Sequence, residues 1–336
     1  MLGGLMLVLT AGILQGAFLL PSKWLRHWQW ENYWLVFSIS AYLVCPWILA
    51  VATVPDLWDV YRHVSWSSIV PVVLFGLGWG LGAVSFGLGV DALGLALGFA
   101  VILGVAATSG TVIPLLVSPP SNFSSAQAVV TGAALCLMLA GIAICSFAGR
   151  WKQQDSAAPG RFSYRLGLLA CVASGLLSAC GNLGYVWGEA IYLPLATSAR
   201  ASYFAPNALW PLLTPPLFLC NAGFALYRLQ KNATFRRFRT AGSFSNYGWS
   251  LTMGVMWLAG MAIYGIGAQR LGALGKSLGW AIMMTSMILT ANALGVLTGE
   301  WKAAPRQSKR DLGLGLLTLV AALALLGYAN GFATDG

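Results

Sequence analysis

Apolar residues in this chain run in unbroken blocks of about 20, separated by short polar stretches, with neither strand-like alternation nor amphipathic helical spacing. The blocks occupy 3–21, 32–53, 68–90, 93–117, 126–148, 166–188, 203–227, 246–268, 273–298 and 311–331. Each can cross a hydrocarbon layer roughly 30 Å thick as a helix, and only helices or closed barrels satisfy every backbone polar group in lipid. The alternation of barrel strands is missing, so the pattern predicts an all-α membrane protein with ten transmembrane helices. Pro46, Pro114, Pro206, Pro211, Pro215 and Pro216 lie inside or near block ends and predict kinks.

Composition sharpens this picture. Of 336 residues, 58% are hydrophobic and 8% charged, where a soluble domain carries about 25% charged residues. A soluble globule is excluded, and ten spans of about 22 residues leave connections too short for an extramembrane domain. The first block has no basic segment before it, while Lys23 and Arg26 follow it, so a first span is expected and not a cleaved leader. Cys45, Cys136, Cys145, Cys171, Cys180 and Cys220 all fall in apolar blocks without Cys-x-x-Cys spacing and read as packing residues. No cofactor or metal is implied.

Basic residues set the orientation. Of the 19 Lys and Arg, only Arg62, Arg200, Arg270 and Lys276 lie in even-numbered connections, and the rest lie in odd-numbered ones. Cytoplasmic loops are enriched in Lys and Arg, which predicts both termini outside. The net charge of +10 is then an orientation signal, not a nucleic-acid footprint.

The chain also repeats itself. At an offset of 178, Gly76, Trp79, Gly82, Gly87, Gly89, Leu93 and Gly94 fall on Gly254, Trp257, Gly260, Gly265, Gly267, Leu271 and Gly272. After a three-residue insertion, the offset becomes 181, and Gly98-Phe-Ala-Val matches Gly279-Trp-Ala-Ile. At 163, Gly4, Leu5, Gly12 and Leu14 fall on Gly167, Leu168, Gly175 and Leu177. Two five-helix repeats, 1–149 and 161–336, are therefore expected, joined by a cytoplasmic linker at 150–160. Five is odd, so the second repeat enters the membrane inverted. Inverted repeats enclosing a ligand near the midplane are the architecture of secondary transporters. A channel lacks its filter or charged ring here, and an intramembrane enzyme lacks His-Glu-x-x-His, an in-span Asp pair or a nucleophile–base set.

Trp28-x-Trp30-Glu31-x-x-Trp34, Pro46-Trp47, Phe75-Gly76 with Trp79-Gly80, and Gly299-Glu300-Trp301-Lys302 resemble the bacterial L-rhamnose–proton symporter family of the drug/metabolite transporter superfamily. The likeness covers nearly the whole length. It implies import of a 6-deoxyhexose, most simply L-rhamnose, with a proton across the cytoplasmic (inner) membrane. Another sugar or small metabolite, moved by exchange or export, is the alternative within the superfamily.

A sugar loses water from its hydroxyls on entering the membrane, so its site needs hydrogen-bonding side chains and flat apolar surface. Gln15, Asn207 and Asn292 are the leading polar candidates, with Trp79, Trp210, Trp257, Tyr264 and Trp280 as aromatic ones; each could instead bond or pack helix to helix. Trp79 and Trp257 occupy equivalent positions and are expected to be neighbours. Among nine acids, Glu31 and Glu189 sit closest to apolar spans and are the proton-coupling candidates. Glu300 is expected to pair with Lys302. Trp24, Trp28, Trp30, Trp58 and Trp66 read as interfacial anchors. Lys276 falls in the insertion that breaks the repeat and is expected to contact substrate or an acid such as Glu189.

Overall fold

The computed structural model describes residues 2–93, 95–120, 123–152, 164–196, 203–240 and 243–331. Residues 153–160 of the expected linker, Arg161, Arg200 and the last five residues lie outside these. The described residues are helical, without strands: α1 (Leu2–Ala17), α2 (Trp30–Ser38), α3 (Cys45–Thr53), α4 (Leu57–His63), α5 (Trp66–Leu93), α6 (Leu95–Val117), α7 (Ser125–Lys152), α8 (Tyr164–Trp187), α9 (Glu189–Ala196), α10 (Trp210–Lys231), α11 (Ser243–Arg270), α12 (Gly275–Leu297) and α13 (Arg306–Gly331). Among the described residues, nine helical stretches are long and apolar enough to cross a membrane. The protein is a multi-pass membrane protein. At 22 residues α10 is long enough, but Pro211, Pro215, Pro216 and Asn221 dilute its apolar character, and it is not among the nine.

One apolar block is built from two α-helices. Between α2 and α3 lies a π-helical stretch, Ile39–Val44. Pro46 has no N–H to give the Tyr42 carbonyl four residues back, and the wider turn absorbs that missing bond.

α5 lies along α8, and α1 lies along α11; α6 also packs on α8, and α12 on α1, while α7 and α13 pair with each other. Glycines permit the closest of these approaches. A Cβ on Gly82 of α5 would come within 2.6 Å of the Ser178 nitrogen in α8, and one on Gly260 of α11 within 2.7 Å of Gln15 Nε2 in α1. Likewise Gly12 of α1 faces Met283 and Ser286 in α12, and Gly175 of α8 faces Ile102 and Val105 in α6.

Polar bonds fasten the two ends of the bundle. At one end, Glu31 accepts hydrogen bonds from Asn232 Nδ2 and Thr234 Oγ1, both at 2.9 Å, and Asn246 binds the Arg26 backbone in both directions. Lys23 reaches Glu300 at 2.5 Å at the same end. Glu300 thus takes a cation from far back in the chain; Lys302 instead lies with its stem over Gly299, which turns at φ +82°. Trp28 is not an interfacial anchor. It is buried, donates its indole N–H to the Arg237 carbonyl at 3.0 Å and meets Phe238 and Tyr247 edge-on. Trp24, Trp58 and Trp66 are exposed.

At the opposite end lies α4, a short amphipathic helix that the apolar blocks gave no sign of. Leu57 is buried, and the Tyr61 hydroxyl donates to the Ala208 carbonyl at 2.6 Å. Burial raises the Tyr61 phenol above its ordinary pKa, which keeps it a donor. All six cysteines are free, and Cys136 is exposed, not packed.

Candidate functional site

The described part of the bundle holds two layers of polar and aromatic groups. The first is built on α8 and its continuation α9, where Asn182, Tyr185, Glu189 and Tyr192 follow one another at spacings of three, four and three. That spacing places them on one helical face.

Asn182 uses its whole amide. Nδ2 donates to the Gly110 carbonyl at 2.7 Å and to the Lys276 carbonyl at 2.9 Å, while Oδ1 accepts the Tyr264 hydroxyl at 2.6 Å. This ties α6, α8, α11 and α12 together at one point. Tyr185 donates to the Gly265 carbonyl at 2.8 Å, and its ring lies 5.4 Å from Tyr192, 5.5 Å from Tyr264 and 6.3 Å from Trp210. Trp280 stands edge-on to Tyr264 at 5.7 Å and donates to the Ala106 carbonyl at 3.2 Å. Beside this aromatic packing, Lys276 at the start of α12 forms an ion pair with Glu189 at the start of α9.

Next to it, Asn207 and Trp210 are buried. Asn207 Nδ2 donates to Thr53 Oγ1 at 3.0 Å, but its Oδ1 and the Trp210 indole N–H have no partner among the described residues. A buried polar atom left unbonded costs about 1–3 kcal/mol. Two of them one helical turn apart, one an acceptor and one a donor, suit the hydroxyl of a ligand.

The second layer holds Gln15, Trp79 and Trp257. Gln15 Nε2 donates to the Trp257 carbonyl at 2.7 Å. The Trp79 and Trp257 rings lie 5.5 Å apart, and Tyr42 packs edge-on to Trp257 at 4.7 Å. The expected neighbourhood of the two tryptophans is present.

Two candidates lie elsewhere. Asn292 donates to the Ile288 carbonyl of its own helix, and it sits about 24 Å along α12 from Lys276, at 1.5 Å per residue. Glu31 is 2% exposed and bonds to residues just after α10, whereas Glu189 belongs to the end where α10 starts. The two acids are separated by about the length of α10, roughly 33 Å. Tyr185 and Tyr192 were not among the sequence candidates; their shared face with Asn182 and Glu189 was the available signal.

A multi-pass bundle whose described residues are helical and keep amides, phenols and an ion pair between helices has the character of a membrane transporter. The family model described as L-rhamnose-proton symport protein (RhaT) matches residues 1–332, and the chain belongs to that family, one of transporters and not of enzymes. It is 28% identical over 326 residues to the L-rhamnose-proton symporter of Cronobacter sakazakii, covering 95% of this chain and 94% of that protein. It is 27% identical over 320 residues to the symporter so named in Klebsiella pneumoniae subsp. pneumoniae, covering 92% of each. For that of Salmonella paratyphi B the identity is 26% over 321 residues, again with 92% of each covered.

Proposed function

We propose that this protein imports L-rhamnose together with a proton across the bacterial inner membrane by alternating access. The observation that carries the reading is the family match over residues 1–332, joined to relatives named as L-rhamnose-proton symporters across more than nine-tenths of their length. No observation favours exchange, export or another metabolite.

The transport unit in this reading has ten spans in two inverted repeats, 1–149 and 161–336, with 150–160 and the odd connections in the cytoplasm and both termini outside. Two findings support it. First, α10 is fastened at its start to Thr53 and beyond its end to Glu31, the two ends of the stretch Trp30–Thr53. A segment bonded to both ends of a span runs across the same thickness. Second, the close contacts are nearly unchanged when the halves are exchanged. Gly12 against Met283 and Ser286 becomes, at offsets of 163 and 181, Gly175 against Ile102 and Val105. Gly82 against Ser178 becomes Gly260 against Gln15.

The sugar site in this reading lies between the two layers, with Trp79, Trp257, Tyr264 and Trp280 offering ring faces. Gln15, Asn207 and the Trp210 indole offer hydrogen bonds. The Lys276–Glu189 pair closes the outer side. Protonating Glu189 removes its charge and releases Lys276 to bond a sugar hydroxyl, which links the proton to the substrate. Glu31, bonded to neutral donors at the inner end, anchors α2 to the segment after α10.

Uptake of labelled L-rhamnose into proteoliposomes, with and without an imposed pH gradient, tests the proposal. Accumulation driven by an acidic exterior is expected. Uptake indifferent to the gradient removes the proton, and failure of rhamnose to compete removes the sugar.

A further inference from the structure

The loop after α10 contains a 3-10 helix, Phe235–Arg239, with sequence Phe-Arg-Arg-Phe-Arg. Three residues per turn place Phe235 over Phe238 on one edge and Arg236 over Arg239 on the next. Both edges border one hollow of about 560 Å³, whose remaining wall includes Leu35 and Ile39, one turn apart at the end of α2 and the start of the π-helical stretch.

This hollow is separate from the aromatic layers and opens at the bundle's side. Ile39 and Phe235 are exposed, as is Phe244 just beyond. In a membrane protein such apolar side chains face hydrocarbon, so the opening faces lipid. The three arginines are not equivalent. Arg237 is engaged, donating to the His27 carbonyl at 2.6 Å. Arg236 and Arg239 are exposed and have no acidic or hydrogen-bonding partner among the described residues. This segment is also among the most basic in the chain, with Arg228 and Lys231 shortly before it. An apolar trough facing lipid, with two unpaired guanidiniums on its rim, matches one occupant by charge and polarity: an acyl chain below a phosphate.

We propose that this hollow is a binding site for one anionic phospholipid, its acyl chain against Leu35, Ile39, Phe235 and Phe238 and its phosphate on Arg236 and Arg239. Basic pockets at helix junctions on the cytoplasmic side recognise anionic headgroups in this way. The guanidinium fork suits a phosphate's oxygens. An occupied site would brace the α2–α11 seam.

The test uses the full-length protein in detergent, with lipid retention read by native mass spectrometry and thermal unfolding followed on titration. Phosphatidylglycerol is expected to be retained and to raise the unfolding temperature, and phosphatidylcholine is not. Arg236→Gln with Arg239→Gln is expected to weaken phosphatidylglycerol binding about 30-fold, roughly fivefold per arginine. Ile39→Trp, which fills the trough and leaves the arginines in place, is expected to lose the lipid too. This second variant carries the test if the arginine pair proves necessary for folding. A charge-matched control, Arg306→Gln with Lys309→Gln, is expected to bind as the parent does. The proposal is overturned if the arginine variant or Ile39→Trp retains phosphatidylglycerol like the parent. An equal loss in the control, or soluble glycerol phosphate binding as tightly as the lipid, overturns it as well.

Discussion

Lys276 and Glu189 form an ion pair that joins the start of α12 to the start of α9, with side chains 24% and 34% exposed. Neither partner is fully hydrated, so removing one leaves the other charge poorly solvated beside an aromatic layer. Lys276→Ala is expected to raise the rhamnose concentration for half-maximal uptake by about tenfold, ~1.4 kcal/mol. Concentration-dependent uptake in proteoliposomes measures this, and full transport with unchanged affinity would remove Lys276 from the mechanism.

Glu189→Gln keeps the shape of the side chain and abolishes its titration. The variant is expected to bind rhamnose and exchange it across the membrane, while losing accumulation driven by a pH gradient. Counterflow and gradient-driven uptake, measured side by side, separate the two outcomes. Gradient-driven accumulation at the parent's level in Glu189→Gln would assign the proton to another group.

The Trp79 ring of α5 and the Trp257 ring of α11 meet at a tilt, 5.5 Å apart. Trp257→Ala is expected to destabilise the protein by about 3–5 kcal/mol, because a large buried ring leaves a cavity. Trp79 is only half-buried, and Trp79→Ala is expected to weaken sugar affinity more than thermal stability, while Trp79→Phe retains most transport. A thermal-unfolding series beside uptake curves checks this split; equal losses in both for Trp79→Ala would make that ring ordinary packing.

The helix crossings make a paired prediction. A methyl on Gly12 meets Ser286 Cβ at 2.5 Å and one on Gly175 meets Val105 Cβ at 2.7 Å, whereas Gly132 and Gly313 have open space. Gly12→Ala and Gly175→Ala are each expected to cost about 1–3 kcal/mol. Gly132→Ala and Gly313→Ala are expected to be neutral or slightly stabilising. Unequal effects within either pair would count against the equivalence of the halves.

Reporter fusions address the orientation. A fusion at the C-terminus is expected to read as external and one after Lys152 as cytoplasmic. A cytoplasmic C-terminus would overturn the outward orientation, and termini on opposite sides would overturn the ten-span arrangement, since ten crossings return the chain to its starting side.

Most spans were legible because hydrocarbon thickness leaves a direct mark on the chain: nine of the ten apolar blocks correspond to helical stretches long and apolar enough to cross a membrane, while the tenth, 203–227, overlaps α10, whose prolines dilute its apolar character. Trp79 meeting Trp257 was legible for a different reason, the equivalence of Gly76–Gly94 with Gly254–Gly272. What escaped were contacts between segments distant in sequence. Glu300 had Lys302 two residues away, and only the fold brings Lys23 closer. Asn292 resembled a ligand group by residue type, but its amide is used on its own helix. Short helices such as α4 bury a single edge, chiefly Leu57 and Tyr61, which leaves too brief a pattern to read. Trp28 carried the composition of an anchor, and its burial depends on Phe238 and Tyr247, which arrive from roughly 200 residues later in the chain.

The π-helical stretch Ile39–Val44 means that this crossing holds one residue more than a straight rod would need. Deleting a single codon there can restore an uninterrupted coil with the later side chains still on their faces, whereas drawing the stretch into a regular helix with every residue kept swings everything that follows by about 100°. Trp47 would be carried away from Trp58 and Tyr61, which it now meets at 5.8 Å and 6.3 Å. The surplus residue is therefore taken up locally by the wide turn, and the gene can shorten here by one codon without re-aiming α3.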